Sequence, residues 1–178
     1  MSLRIFVLLL LFFIPGRLVP EAHGLELITT RYTTIIYEGK RQLQEYNEKV
    51  VFNKPSAFPG KPGMVTAADE AGDMTDAVLE QVEMILDMFP TRIKITIMLL
   101  PSRADVQKMY QTLYQKQVDF IAFYAPKEKT MFLSVPDTTI RVLAHEMAHA
   151  IIDHYFKVSP PEKIHEVLSQ YAESHITD

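Results

Sequence analysis

A chain of 178 residues with a formal net charge of -4 has the length for one domain, and it lacks the clustered Lys and Arg that phosphate backbones require, which excludes nucleic acid as an expected partner. It contains no Cys, so disulfide frameworks, thiolate metal sites and Cys-His nucleophiles are excluded, and no Ser stands in a G-x-S-x-G setting. Any metal held by this chain must be held by nitrogen and oxygen.

At the amino terminus Arg4 precedes an apolar run from Ile5 to Ile14, and Ala22-His23-Gly24 follows at a cleavage spacing, so residues 1–24 carry the pattern of a signal peptide. The run is ended by Pro15, Gly16 and Arg17 and is too short to span a bilayer. The expectation is export, periplasmic or secreted, with no stable membrane anchor after cleavage, and a single domain over residues 25–178. Residues 1–24 hold Arg4, Arg17 and Glu21, so the remainder has a net charge of about -5, an ordinary solvated surface.

Residues 28–37 (ITTRYTTIIY) are rich in Thr, Ile and Tyr and predict a strand that Gly39 stops. Leu43, Tyr46, Val50 and Val51 recur at roughly helical spacing over 40–51. Three Pro and three Gly among small and polar residues make 53–72 a predicted loop, and a helix follows from about Thr75 to Met88 with Val78, Leu79, Val82, Ile85 and Leu86 on one face, closed by Pro90. Residues 92–100 alternate Ile93, Ile95, Ile97 and Leu99 inward as a strand. Ser102 with Asp105 predicts a capped helix reaching about Tyr114. Residues 119–125 (DFIAFYA) and 130–135 (TMFLSV) read as a hairpin. Pro136-Asp137 then supplies a turn and a cap for a helix over 138–156, and Ser159-Pro160-Pro161-Glu162 separates it from a last helix over 162–175.

The chemistry sits in His145-Glu146-Met147-Ala148-His149, an HExxH motif. Residues four apart share one helix face, so His145 and His149 can offer two imidazoles to one ion, here expected to be Zn2+. Glu146 lies about a hundred degrees round the helix. From there it can take a proton from water activated at the metal, the role of a general base. Leu143, Met147, Ala150 and Ile151 form the opposite apolar stripe. A catalytic zinc needs a third protein ligand, and Asp153, His154, His165, Glu166, Glu173 and His175 are the candidates. The metzincin pattern is excluded, because Ile152 and Tyr155 stand where it requires Gly and His. In the last helix Ile164, Val167, Leu168 and Tyr171 read as a core stripe, leaving Glu166, Gln170 and Glu173 on a polar one, and Glu166 is the preferred ligand.

The run HEMAHAIIDHYFKVSPPEKIHEVLSQYAE resembles the HExxHA... PxWLxEGLAEYxE signature of small gluzincin metallopeptidases of the peptidase MA-like kind, over roughly residues 92–176 and more loosely over 28–52. The resemblance implies a zincin-like minimal catalytic domain of α+β class. It would have a twisted sheet of about four strands with antiparallel edges, the motif helix packed beneath it, and the last helix returning Glu166. It assigns His145, His149 and Glu166 as zinc ligands, Glu146 as base, and the edge strand around Ile121, Ala122 and Phe123 as the place where a peptide or protein substrate pairs. Two departures stand out: Val167 replaces the usual Gly, and Gln170 replaces an acidic residue that orients a ligand histidine; its amide can still accept a hydrogen bond but supplies no charge, and Glu173 is the candidate substitute. Larger members draw an oxyanion donor from a carboxy-terminal subdomain. In this sequence the candidates for that role are His154, Tyr155 and Tyr171, with His175 and Tyr124 behind them. The implied function is metal-activated peptide-bond hydrolysis. The alternative is an exported zinc-binding pseudo-peptidase that holds a peptide or protein partner without turnover.

Overall fold

The computed structural model describes residues 24–51 and 66–177. The expected export signal, but for Gly24, and residues 53–65 of the expected loop lie outside the described residues.

The single strand expected over 28–37 is two. Strand β1 (Leu25–Thr29) pairs antiparallel with β2 (Thr33–Glu38), Leu27 opposite Ile36. The turn between them is built by side chains. Thr30 Oγ1 accepts the Tyr32 and Thr33 amides at 3.2 and 2.9 Å and donates to Asp76 Oδ1 at 2.6 Å, while the Arg31 amide donates to Asp76 Oδ2 at 3.2 Å. A hydroxyl that satisfies its own backbone ends a strand that β propensity alone would continue.

Helix α1 (Gly39–Lys49) starts at Gly39, whose φ of 67° allows the turn out of β2, and buries Leu43 and Tyr46. Helix α2 (Ala67–Leu86) begins well before the Thr75 expected from periodicity, inside the stretch read as loop to residue 72. Its start is a capping box: the Asp69 amide donates to Thr66 Oγ1 at 3.1 Å, and the Thr66 amide to Asp69 Oδ2 at 3.0 Å. Gly72, which argued for a loop, is needed for closeness, since a Cβ there would lie 3.0 Å from Thr30 Cγ2.

Strand β3 (Ile95–Leu100) buries Ile95, Ile97 and Leu99 as the alternation predicted. Helix α3 (Arg103–Tyr114) is capped by Ser102, and β4 (Ala122–Ala125) and β5 (Thr130–Ser134) form the expected hairpin. A short 3-10 turn, Val135–Asp137, leads to the motif helix α4 (Ile140–Tyr155). Thr139 rather than Asp137 caps it, because Asp137 is held by Ser134 Oγ at 2.6 Å and by Arg103. Helix α5 (Glu162–His175) closes the fold.

The result is an α+β protein with five helices and a mixed five-stranded sheet ordered β1-β2-β3-β5-β4. The two outer pairs are antiparallel, and the central pairs β2-β3 and β3-β5 are parallel. Helices α1, α2 and α4 cover one face, over Ile35, Ile97, Met131 and Leu133. Helix α3 packs on the other, over Phe123, Ala125 and Phe132. Among the described residues no helix is long and apolar enough to cross a membrane.

Helix α5 departs from expectation in a way that matters for the site. Its expected core stripe is largely solvent-facing: Ile164, Val167 and Tyr171 are exposed, and the buried side chains are Ser169 and Ala172, with Ile176 just beyond the helix end. Small side chains let α5 lie close against α4, and that approach carries Glu166 and Glu173 to the two histidines.

Candidate metal centre

Helix α4 fixes the motif through its apolar side, with Leu143, Met147, Ala150 and Ile151 fully buried, while His145 and His149 remain partly exposed toward α5. Their Nε2 atoms stand 3.2 Å apart. Glu166, from α5, brings Oε2 to 3.7 Å from His145 Nε2 and Oε1 to 3.4 Å from His149 Nε2. Tetrahedral coordination with bonds of about 2.0–2.2 Å separates ligand atoms by roughly 3.3–3.6 Å. At 3.2, 3.4 and 3.7 Å the three separations straddle that range, close to three corners around one divalent ion, and the atoms all lie within 4.8 Å of one another.

His149 is also in the protonation state that a ligand needs. Burial first, then the neighbouring His145 and His165, push His149 down to about 3, so its imidazole is neutral at physiological pH with a lone pair to give. His145 Nδ1 lies 3.0 Å from Glu173 Oε2, which favours the proton on Nδ1 and leaves Nε2 facing Glu166. Glu173 thus takes the orienting position. Gln170 is exposed and, among the described residues, makes no hydrogen bond to either ring.

Glu146 is 8% exposed and forms part of the wall of a cavity of about 440 Å³ between β4, α4 and α5. Burial pushes its carboxyl up to about 8, opposed by a hydrogen bond from the Tyr124 backbone and reinforced by Glu166 and Glu173. A divalent cation beside it would favour the charged form. In metal-free protein the raised value has a stability consequence. The protonated form is favoured on folding, so stability from this group is complete below about 4.5 and is lost as pH rises to about 8. Glu146→Gln removes that loss. Thermal unfolding in chelator is expected to show the Gln variant more stable than wild type at pH 8, by on the order of 3–5 kcal/mol, and equal to it near pH 4.5. Equal stabilities at both pH values would contradict the buried-carboxyl account.

Strand β4 is an edge of the sheet, and of Ile121, Ala122 and Phe123 it is Ala122 that turns its backbone groups away from β5. The Ser134 amide donates to Ile121 O at 2.9 Å, so by the antiparallel alternation Ile121 and Phe123 turn their backbones to β5, while Ala122 and Tyr124 turn theirs to the cavity. The hydrogen bond between Tyr124 and Glu146 agrees. Tyr124 Oη donates to Asp153 Oδ2 at 3.3 Å and ties β4 to α4.

The three expected oxyanion donors are not at the cavity. His154 Nδ1 is bonded back to Ala150 O at 2.8 Å, Tyr155 is exposed against Phe156, and Tyr171 is exposed against His175. Each was selected by its residue type near the motif, but α5 packs on its small-residue side and turns Tyr171 outward. Tyr124, the further candidate on β4, does line the cavity but gives its hydroxyl to Asp153, and the cavity is also lined by His165, a ligand candidate in the sequence. The His165 ring stacks on His149 with centroids 5.7 Å apart and planes 14° apart. Burial lowers its pKa. Searches of protein-family models, curated proteins and solved structures find no match to this chain.

Proposed function

We propose that this chain is a zinc-dependent peptide-bond hydrolase of the gluzincin kind on a zincin-like domain, exported by the signal pattern at its amino terminus. The observation that carries this reading is the mutual spacing of His145, His149 and Glu166 at 3.2–3.7 Å with the buried Glu146 on the same helix turn. Zn2+ suits a set of two imidazoles and one carboxylate. Among the described residues no fourth protein ligand joins the group, which fits a catalytic rather than a closed structural site.

Bound there, zinc supplies Lewis acidity that lowers the pKa of water toward neutrality and polarises a carbonyl. The chain's residues do the rest. Glu146, in contact with the cavity, removes a proton from the attacking water and passes it to the leaving amine nitrogen. The outward backbone groups of Ala122 hydrogen-bond an extended substrate laid along β4. Glu173 holds the His145 tautomer, and burial keeps His149 neutral.

Metal analysis of the purified chain, followed by digestion of a broad peptide library with and without chelator, tests this reading. One zinc per chain and chelator-sensitive cleavage are expected. Failure to take up zinc, or cleavage indifferent to chelation, would overturn it.

A further inference from the structure

Hydrolysis of an amide moves negative charge onto the carbonyl oxygen, and a fixed donor aimed at that oxygen is commonly the largest protein contribution to rate. On the β4 side of the cavity the Tyr124 backbone donates to Glu146 and the Tyr124 hydroxyl donates to Asp153, so both of its donors are engaged. His165 stands on the α5 side, in the first turn of that helix, next to Glu166 and flat against His149. Its Nε2 is 2.9 Å from Ser159 Oγ, in the connection between α4 and α5. Among the described residues no group bonds its Nδ1, and no atom of its ring belongs to the three-ligand cluster.

We infer that His165 is the oxyanion donor of this site: Ser159 donates its hydroxyl to Nε2, which places the ring proton on Nδ1, and Nδ1–H donates to the carbonyl oxygen as it becomes tetrahedral. This inference rests on the peptidase reading and sharpens what the site recognises, a tetrahedral oxyanion rather than a planar amide. No proton leaves the ring, so Glu146 remains the only proton carrier. Ser159 acts through His165 as a positioning residue by fixing its tautomer.

Two substitutions separate the ring from its donor. His165→Phe keeps a flat ring against His149 without an N–H, and His165→Asn puts an amide N–H near the place of Nδ1. With zinc-loaded protein, the probe is a phosphonyl-Leu-Phe peptide, whose tetrahedral phosphorus oxygens mimic the oxyanion, and its affinity is read beside zinc content, kcat and KM. His165→Phe is expected to retain one zinc, to lose about 10²–10³-fold in phosphonyl-peptide affinity and in kcat, and to change KM by no more than about twofold. His165→Asn should recover roughly tenfold of that loss. Loss of zinc in His165→Phe would make His165 a ligand and overturn the inference. Equal phosphonyl-peptide affinity in wild type and His165→Phe would overturn it alone, whereas a wild-type chain that loads zinc but binds no phosphonyl peptide would overturn it together with the peptidase reading.

Discussion

Replacing Glu146 by Gln will leave one zinc per chain and lower peptide hydrolysis by about 10²–10⁴-fold, the range that a positioned general base contributes. The substitution is close to isosteric, and the Gln carbonyl can still accept the Tyr124 backbone hydrogen bond that the carboxylate accepts. None of the three ligand atoms is touched, so the 3.2–3.7 Å cluster should persist. Only the ability to take a proton from water is removed. Three results separate the readings. Retained zinc with lost turnover identifies Glu146 as the base. Retained zinc with wild-type turnover places the base elsewhere. Retained peptide binding with no turnover in wild type or variant identifies a pseudo-peptidase. The fall in kcat must be measured near pH 7 with saturating zinc, so that the pH-dependent stability of the metal-free form does not enter.

How much of this was legible in the sequence depends on whether a partner in space decides the feature. The α4 helix was legible because its apolar residues and the two histidines repeat at helical spacing within one segment, although its cap is Thr139 and not the expected Asp137. The edge hairpin was legible for the same reason, since both strands and their turn are local. The start of α2 was misread because Gly72 looks like a loop residue until Thr30 is seen packed over it. The break between β1 and β2 is not legible because Asp76, which holds the Thr30 hydroxyl in its turn, is forty-six residues from Thr30 in the chain. Helix α5 is the instructive case. Amphipathic reasoning put Ile164, Val167 and Tyr171 in the core and reached Glu166 by elimination, yet those three residues are exposed. Glu166 does meet the histidines, on a helix whose buried residues are the small Ser169 and Ala172, which no hydrophobic stripe announces.

Zinc binding should be visible as stability, and the size of the effect should rank the residues around the ion. A ligand that binds only the folded state stabilises it by about 4 kcal/mol at a thousandfold excess over Kd, which for a domain of this length raises Tm by on the order of 10 °C. His149→Ala should abolish that zinc-dependent rise, because it removes one of three donors and the one that burial keeps neutral. Glu173→Gln should reduce it by a smaller amount. The variant keeps a hydrogen bond to His145 Nδ1 but loses the charge that makes Nε2 a better donor, a change that costs about 10–100-fold in affinity, or roughly 1.4–2.7 kcal/mol of the zinc-dependent term. Gln170→Ala should leave the rise intact, since Gln170 is exposed and Glu173 occupies the orienting position. Scanning calorimetry of the four proteins, with and without zinc, gives the order directly. A Gln170 effect as large as that of Glu173 would contradict Glu173 as the residue that orients His145. A full zinc-dependent rise in His149→Ala would place the metal outside the motif.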